Sequence, residues 1–167
     1  MKDRRTFIML GTGGVMALFG LRWFGGNGEA AAEAKKTFEI DKPDAEWRKQ
    51  LSAAQYDVLR GHGTERPGSS PLNAEKRKGT FVCAGCDLPL FSSDTKYESG
   101  TGWPSFWQPL PNAVGTTADR SLFMTRTEVH CRRCGGHLGH VFKDGPPPTG
   151  LRYCMNGLAL AFVPAAA

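Results

Sequence analysis

The chain has 167 residues, enough for one domain with tails and too few for two full-sized domains. Its 21 Gly and 11 Pro residues favour short strands and turns over long helices. The formal net charge of +5 is not gathered into a dense basic block with interleaved aromatic residues, which argues against a nucleic-acid-binding protein.

The first 34 residues have the pattern of an export signal. A charged start with Arg4 and Arg5 leads into an apolar stretch, 8–21, and then into small residues, where we expect cleavage after Ala32 or Ala34. The arginine pair resembles the twin-arginine class of signals. The apolar stretch is shorter than the ~20 residues that a spanning helix needs. The sequence therefore predicts an exported, periplasmic protein, with an uncleaved membrane anchor as the alternative.

A helical region is predicted between a short linker, 35–43, and the main body. Apolar residues recur at three- and four-residue intervals, as on one face of a helix. The residues concerned are Trp47, Leu51, Ala54, Val58 and Leu59. Asp44 is suited to begin the helix and Gly61 to end it. We expect one helix, or two, packed on a domain that spans 44–164.

Short apolar or alternating segments follow a loop predicted over 64–79. Seven of them are separated by turn residues: 80–83, 88–91, 122–124, 128–131, 140–142, 152–154 and 159–163. Runs of this length and spacing favour antiparallel strands over βαβ units. The chain is therefore predicted to be mainly β.

Four of the five cysteines form two CxxC pairs, Cys83 with Cys86 and Cys131 with Cys134. Each pair lies where a strand is predicted to turn, so both of its sulfurs can face a point about 2.3 Å away, where a metal ion would bind. Two such pairs give four thiolates in a tetrahedron, the arrangement that Zn²⁺ prefers. Because four sulfurs leave no position open for a substrate, we expect the Zn²⁺ to be structural.

Two disulfides and a redox-active CxxC pair are the alternatives for these cysteines. The redox motif needs a βαβ setting, which the strand pattern does not supply. Disulfides suit an exported protein, but the twin-arginine route carries proteins that are already folded, so Zn²⁺ could be bound before export. His130, next to Cys131, could in principle replace one sulfur ligand.

The fifth cysteine, Cys154, stands alone in an apolar run. In a strand, Arg152 and Asn156 would point to the same face as Cys154, because each lies two residues away. A neighbouring cation and amide favour the thiolate, the reactive form of cysteine. A buried and unreactive cysteine is the alternative that the local sequence leaves open.

Two further motifs accompany Cys154. The segment 135–142, Gly-Gly-His-Leu-Gly-His-Val-Phe, holds two histidines, and the segment 99–106, Ser-Gly-Thr-Gly-Trp-Pro-Ser-Phe, places a tryptophan in a Gly-rich loop. With the two CxxC pairs and Arg-Tyr-Cys-Met-Asn, these segments resemble the B-type methionine sulfoxide reductases, which reduce the R epimer of methionine sulfoxide. The resemblance runs from about Trp47 to Val163, with the motifs in the family's order.

The resemblance implies a catalytic set. Cys154 aligns with the family's nucleophile, His140 with an active-site histidine, and Asn156 with the asparagine two residues beyond the nucleophile. The resemblance also implies a fold of two antiparallel sheets with the zinc knuckle at one end.

A substrate-binding set is implied in the same way. Trp103 aligns with the tryptophan that receives the substrate's S-methyl group, and His137 with the family's second active-site histidine. Arg152 stands where the family has an arginine close to the nucleophile. His62, in contrast, is expected to be a surface residue.

The implied chemistry suits these residue types. The sulfur of a sulfoxide can be attacked only if its oxygen is protonated or strongly hydrogen-bonded, which His140, with help from His137 and Asn156, could provide. Trp103 offers an apolar wall for the methyl group and so helps to select one epimer. Attack by the Cys154 thiolate releases methionine and leaves a sulfenic acid.

Thr101 stands where many members of the family carry a second, recycling cysteine. With four cysteines assigned to Zn²⁺ and one to catalysis, none is spare for an internal disulfide. We therefore predict that an external thiol or a thioredoxin-like partner reduces the sulfenic acid, with cytoplasmic thioredoxin out of reach after export. The expected substrate is methionine-R-sulfoxide, free or in peptides and proteins, and we expect no nucleic-acid partner and a monomer.

A zinc-knuckle binding module without enzymatic activity is the competing function. It accounts for the CxxC pairs but leaves Trp103, the two histidines and the face that carries Cys154 without a role. A thiol peroxidase that uses Cys154 would fit the lone thiol but not an aromatic pocket for a methyl group. Substitution of Cys154 by Ser separates these classes, because only an enzyme would lose turnover.

Overall fold

Two short helices precede the sheets in the computed structural model, which describes residues 38–120 and 125–166. Helix α1 spans Asp44–Gln50 and helix α2 spans Ala53–Gly61. The region does not form one continuous helix, because Ser52 has an extended backbone conformation and caps the N-terminus of α2. The Ser52 hydroxyl accepts the Gln55 N–H at 3.2 Å, and the Gln55 side chain accepts the Ser52 N–H at 3.1 Å.

The described residues form two antiparallel sheets, as expected for a mainly β chain. The strands are β1 Gly79–Cys83, β2 Pro89–Ser92, β3 Lys96–Tyr97, β4 Ser105–Phe106, β5 Val114–Asp119, β6 Arg126–Cys131, β7 His137–Phe142, β8 Arg152–Met155 and β9 Leu160–Pro164. The smaller sheet has the order β2-β1-β9, and the larger has the order β3-β4-β8-β7-β6-β5. The chain therefore places β7 and β8, which carry the histidine motif and Cys154, side by side.

Aromatic rings join the two sheets in the core. Phe91 of the smaller sheet stacks on Phe106 of the larger sheet, with ring centroids 4.3 Å apart. Phe81 meets Phe106 edge to face at 4.9 Å, and all three rings are fully buried. Burial of such side chains supplies about 1.5–3 kcal/mol each. These contacts hold the sheets in the position that forms the site.

The strand predictions differ from the structure in three places. The expected strands at 80–83, 88–91, 128–131, 140–142, 152–154 and 159–163 are present with small shifts of their ends. Strands β3 and β4 were not expected because they have two residues each, and β5 was not expected because Val-Gly-Thr-Thr-Ala-Asp lacks apolar alternation. The strand predicted at 122–124 and the export signal over 1–34 lie outside the described residues.

The segment that precedes α1 packs on the domain. All described residues belong to one compact unit, Lys36–Ala167. Within the predicted linker, the Ile40 N–H donates to the Arg133 carbonyl at 3.0 Å, and the Phe38 ring meets the His130 ring edge-on at 5.7 Å. Among the described helices, none has both the length and the apolar character needed to cross a membrane.

Candidate active site

Cys154 lies within the larger sheet, where strand pairing fixes its neighbours. Its register partners are His140 on β7 and Ser105 on β4. Gly139 permits the close approach of β7 to β8, because a Cβ atom at this position would collide with the Cys154 carbonyl oxygen. The pairing of β7 with β8 therefore places the Cys154 thiol next to the His140 imidazole.

A cavity of about 120 Å³ adjoins the Cys154 side chain. It is lined by Thr64, Trp103, Arg126, Gly139, His140, Phe142, Cys154 and Asn156. This volume corresponds to about four water molecules, so it suits the end of one side chain. Four of the six residues expected in the active site, Cys154, His140, Asn156 and Trp103, meet in this Cys154 pocket, whereas His137 and Arg152 are not among its lining residues.

Glu65 connects the segments that carry Trp103 and Asn156, a link that no sequence motif indicated. The Trp103 indole N–H donates to the Glu65 carbonyl at 3.1 Å, and the Glu65 N–H donates to the Asn156 side-chain oxygen at 3.0 Å. The buried Glu65 carboxylate accepts the N–H groups of Gly157 and Leu158 at 2.5 and 3.0 Å. Because these bonds are to a carboxylate, they are stronger than neutral ones and hold the chain just beyond Cys154.

Asn156 is held at both ends of its amide. Besides accepting from Glu65, its side-chain nitrogen donates to the Leu138 carbonyl at 3.1 Å. Asn156 itself is 3% exposed and follows the end of β8. Within the described residues, one N–H of the amide group therefore has no protein partner, since the nitrogen carries two.

His140 is oriented by a carboxylate that is itself paired. Its Nε2 lies 2.8 Å from Oδ2 of Asp119, and Arg126 contacts the same oxygen at 2.7 Å. Burial lowers the pKa of His140 below its ordinary value, while the hydrogen bond to Asp119 acts in the opposite direction. The imidazole is therefore mainly neutral at pH 7 and gives up a proton readily when charged.

His137 is also held by a carboxylate, although it lies outside the Cys154 pocket. Its Nδ1 lies 2.9 Å from Oε1 of Glu128, and its ring meets the His140 ring edge-on with centroids 5.4 Å apart. The side chain is buried, and Nε2 has no hydrogen-bond partner in the described part of the protein. Hydrogen bonds from His130 and His137 outweigh the effect of burial and hold the pKa of Glu128 well below its usual range.

Arg152 forms a bidentate ion pair with Asp144 on the side of the sheet next to Phe142. The two nitrogen–oxygen distances are 2.9 and 2.8 Å, and the guanidinium lies over the Phe142 ring at 4.4 Å. The Asp144 carboxylate is the main reason why the pKa of Arg152 is raised, and the charge of Cys154 adds to it. Arg152 therefore interacts electrostatically with Cys154, while its guanidinium is paired with Asp144.

Thr101 is the residue of the Gly-rich loop that faces the thiol. Its hydroxyl oxygen lies 3.8 Å from the Cys154 sulfur and 2.9 Å from the Ser99 hydroxyl. Ser99 in turn lies 2.7 Å from the Ser105 hydroxyl. Three hydroxyl groups, those of Ser105, Ser99 and Thr101, thus form a chain that ends at the Cys154 sulfur. Thr101, the last of them, stands where the resemblance places a second cysteine in many members of the family.

The four paired cysteines come together as the spacing predicted. Cys83 and Cys134 have sulfurs 3.8 Å apart, Cys86 and Cys131 have sulfurs 3.5 Å apart, and all four ligand atoms lie within 4.8 Å of one another. None is in a disulfide, and a tetrahedron with metal–sulfur bonds of about 2.3 Å has edges of about 3.8 Å. Hydrogen bonds from Cys134 and Cys83 lower the pKa of Cys131, which favours a thiolate. The cluster fits a four-coordinate metal ion.

Comparison with known proteins gives the site its context. The SelR domain matches residues 51–164 of the chain. The peptide methionine sulfoxide reductase MsrB of Agrobacterium fabrum is 55% identical over 127 residues, which is 75% of this chain and 94% of that protein. The chain belongs to the B-type methionine sulfoxide reductase family. MsrB proteins of Pseudomonas putida and Methanosarcina barkeri are 57% and 56% identical, over 75% and 74% of this chain and 96% and 87% of theirs.

Membership of the B-type methionine sulfoxide reductases confirms the resemblance drawn from the motifs, and the two sheets confirm the expected fold. The roles of the individual site residues remain predictions. The structure adds three carboxylates to them, Glu65, Asp119 and Glu128, which no motif had singled out. It also places the side chain of His62, 64% exposed as expected for a surface residue, 3.3 Å from Glu128.

Proposed function

We propose that this protein reduces the R epimer of methionine sulfoxide to methionine with Cys154 as the nucleophile. The observation that carries the proposal is the Cys154 pocket, where a thiol, the imidazole of His140 and the indole of Trp103 surround a space of side-chain size. Family membership supports the reaction class, because the B-type relatives carry the name of peptide methionine sulfoxide reductases.

The first step transfers oxygen from the substrate to Cys154. The thiolate sulfur attacks the sulfoxide sulfur and forms an S–S bond. The S–O bond of the substrate and this S–S bond then break as the protonated oxygen binds to the cysteine sulfur, which releases methionine and leaves Cys154 as a sulfenic acid. The substrate sulfur gains two electrons and the cysteine sulfur loses two. One proton, equivalent to the one that Cys154 gave up, is needed on the oxygen as it leaves.

His140 is the residue placed to deliver that proton. It lies opposite Cys154 in the strand register and lines the same pocket. Since Asp119 occupies Nε2, Nδ1 is the nitrogen that serves the substrate oxygen. A proton donor with a lowered pKa transfers its proton easily, and the uncommitted N–H of Asn156 supports the oxygen while charge develops.

Trp103 determines which epimer reacts. Its indole N–H is bonded to the Glu65 carbonyl, so the ring has a fixed orientation in the wall of the pocket. An apolar face accepts the S-methyl group and leaves the oxygen to the polar side. With the methyl group and the oxygen fixed, only one arrangement of the remaining substituent presents the sulfur to Cys154.

An external thiol restores Cys154 after each reaction. The four other cysteines form the four-sulfur cluster, and the loop residue nearest the nucleophile is Thr101, whose hydroxyl cannot form a disulfide. A small thiol or a thioredoxin-like protein can attack the sulfenic acid, release water and then resolve the mixed disulfide with a second thiol.

The four-sulfur cluster is suited to a structural Zn²⁺ that ties β1 to the end of β6. Zn²⁺ prefers tetrahedral thiolate sites, and four protein ligands complete its coordination. Export through the twin-arginine route would allow the ion to be bound before the protein reaches the periplasm. This part of the proposal rests on the sequence of residues 1–34.

The test is a single-turnover assay with pre-reduced protein and each epimer of a methionine sulfoxide peptide. We expect close to one equivalent of methionine from the R epimer, none from the S epimer, and the loss of one thiol at Cys154. Cys154→Ser should release none, whereas Thr101→Ser should behave as the wild type. Methionine release by Cys154→Ser, or equal release from both epimers, would contradict the proposal.

A further inference from the structure

Glu128 is the centre of a histidine cluster that borders the Cys154 pocket but is not part of it. His62 Nδ1 lies 3.3 Å and His137 Nδ1 lies 2.9 Å from the same oxygen, Oε1 of Glu128. The two imidazole rings lie against each other with centroids 5.0 Å apart. We call these three residues the His62 cluster.

The spacing of the His62 cluster is that of a set of metal ligands. One ligand atom from each of the three residues lies within 4.8 Å of the others. Bonds of about 2.0–2.1 Å to imidazole nitrogen and carboxylate oxygen in a tetrahedron put neighbouring ligand atoms about 3.4 Å apart. The distances from Oε1 of Glu128 to the two Nδ1 atoms, 2.9 and 3.3 Å, lie close to this value, and the third edge lies within 4.8 Å, so side-chain shifts of about 1 Å would bring the three residues around an ion.

The surroundings of the cluster allow an ion to enter and be held. A cleft of about 430 Å³ is lined by all three residues, and His62 is largely exposed while His137 is 2% exposed. His62 is the residue at the end of α2, where its φ of 57° and its N–H bond to the Asp57 carbonyl fix the backbone. One exposed ligand at the mouth and two buried ligands on the sheet form a site with a solvent-facing position.

The donor types favour a divalent transition metal. Two imidazoles and one carboxylate are a donor set that Zn²⁺, Co²⁺ and related ions share, while Mg²⁺ and Ca²⁺ prefer oxygen ligands. The set differs from the four-sulfur cluster, which holds soft thiolates. The two sites can therefore be told apart by the spectrum of a bound ion.

We propose that His62, Glu128 and His137 bind a divalent transition-metal ion and that its binding slows the reductase. The inhibitory part rests on the proposed function, whereas the binding part stands alone. A dication on Glu128 takes the carboxylate oxygen that now positions His137. Because the His137 ring packs edge-on against the His140 ring, a shift of His137 towards the ion moves the imidazole that lines the Cys154 pocket, and the reaction becomes slower.

Binding is tested by adding Co²⁺ to the zinc-loaded Cys154→Ser protein, in which the reactive thiol cannot take up the ion. We expect one equivalent of Co²⁺ with weak visible bands and without sulfur-to-metal charge transfer. His62→Asn should weaken this binding at least about tenfold, the range that the loss of even an outer-shell partner costs. Asn tolerates the left-handed backbone at this position, so the fold should be kept, as the melting temperature will show.

Glu46→Gln is the matched control, because it removes a charge from the exposed face of α1 and changes none of the three residues of the His62 cluster. Its Co²⁺ binding should equal that of the parent. No additional equivalent of Co²⁺, a spectrum dominated by sulfur, or unchanged binding in His62→Asn would each overturn the site.

Inhibition is tested by single turnover with pre-reduced, zinc-loaded protein, with and without one further equivalent of Zn²⁺. Added Zn²⁺ should lower the single-turnover rate of the native protein severalfold. His62→Asn should react at the native rate without the added ion, and the ion should not lower its rate. Equal slowing of both would assign the effect to Cys154 and overturn the inhibitory role. Failure of the proposed function is a separate result, since no methionine would then form even without the added ion.

Discussion

The Thr101 hydroxyl lies 3.8 Å from the Cys154 sulfur, so the position that could hold a recycling cysteine faces the nucleophile directly. A sulfur placed there would need to approach by less than 2 Å to form a bond of about 2.05 Å. The proposed dependence on an external reductant thus rests on the identity of one side chain.

Thr101→Cys should convert the protein to an internally recycled form. After one turnover with the R epimer, we expect a disulfide between positions 101 and 154, detected as the loss of two thiols and by a cross-linked peptide in mass spectrometry. Thr101→Ser, the control, should lose one thiol and form a sulfenic acid. If the introduced thiol stays free beside a sulfenic acid at Cys154 for minutes, the loop cannot close and the prediction is wrong.

Glu65→Gln should impair epimer choice as well as stability. The amide keeps the size of the side chain but weakens the bonds to the Gly157 and Leu158 N–H groups, at a cost of about 1–3 kcal/mol in the free energy of unfolding. Because Asn156 and Trp103 bind the backbone of residue 65, we expect the ratio of R to S reaction rates to fall.

The control for Glu65→Gln is Glu46→Gln, which removes a carboxylate from the exposed face of α1. It should change neither the epimer ratio nor the melting temperature appreciably. An unchanged epimer ratio in Glu65→Gln, with lowered stability alone, would limit Glu65 to holding the fold.

Asp119→Asn should shift the pH dependence of the single-turnover rate towards lower pH. The Asp119 carboxylate raises the pKa of His140 and burial lowers it, with burial the larger effect. Removal of the carboxylate therefore lowers the pKa further, and the protonated donor is lost at a lower pH. The rate is measured from about pH 4.5 to 8, across the ordinary range of histidine, and a shift towards higher pH or no shift would exclude His140 as the proton donor.

The same lowered pKa predicts how stability depends on pH. The unfolded chain binds a proton at His140 near the ordinary pKa of 6.5, and the folded chain does so only at lower pH. Stability from this group is complete above about pH 6.5 and declines as the pH falls from there through the folded pKa. Chemical denaturation at about pH 7 and pH 5 should show that His140→Gln loses less stability on acidification than the native sequence does.

Removal of the proposed metal ion from the four-sulfur cluster should unfold the end of the domain formed by Cys83, Cys86, Cys131 and Cys134. Binding to the folded state alone stabilises a protein by mass action, so a strong chelator should lower the melting temperature by at least several degrees. Cys86→Ser should lose the bound ion, whereas Cys154→Ser should retain one equivalent, as measured by elemental analysis. Retention of the ion by Cys86→Ser would contradict a four-sulfur site.

The sequence was informative wherever a local pattern carried the chemistry. The CxxC spacing brought four sulfurs together, and the apolar segments predicted strands such as β1 and β9. Strand β5 was missed because it is a polar strand at the edge of its sheet, where burial imposes no alternation. Glu65 was missed for another reason: its partners lie 38 to 93 residues away, a distance over which periodicity carries no information.

The residues of the active site are held in two different ways, by strand pairing and by contacts between loops. His140 and Cys154 are paired in neighbouring strands, with Gly139 providing the close approach. Trp103 and Glu65 belong to loops joined by a few hydrogen bonds, among them that of the Trp103 indole to the Glu65 carbonyl and that of the Gly68 N–H to the Gly102 carbonyl. In the proposed reaction, the capacity to attack a sulfoxide therefore persists as long as the sheet does. The proposed choice of epimer depends on the loop contacts, so we expect loop substitutions to widen the range of sulfoxides accepted while the attack by Cys154 is kept.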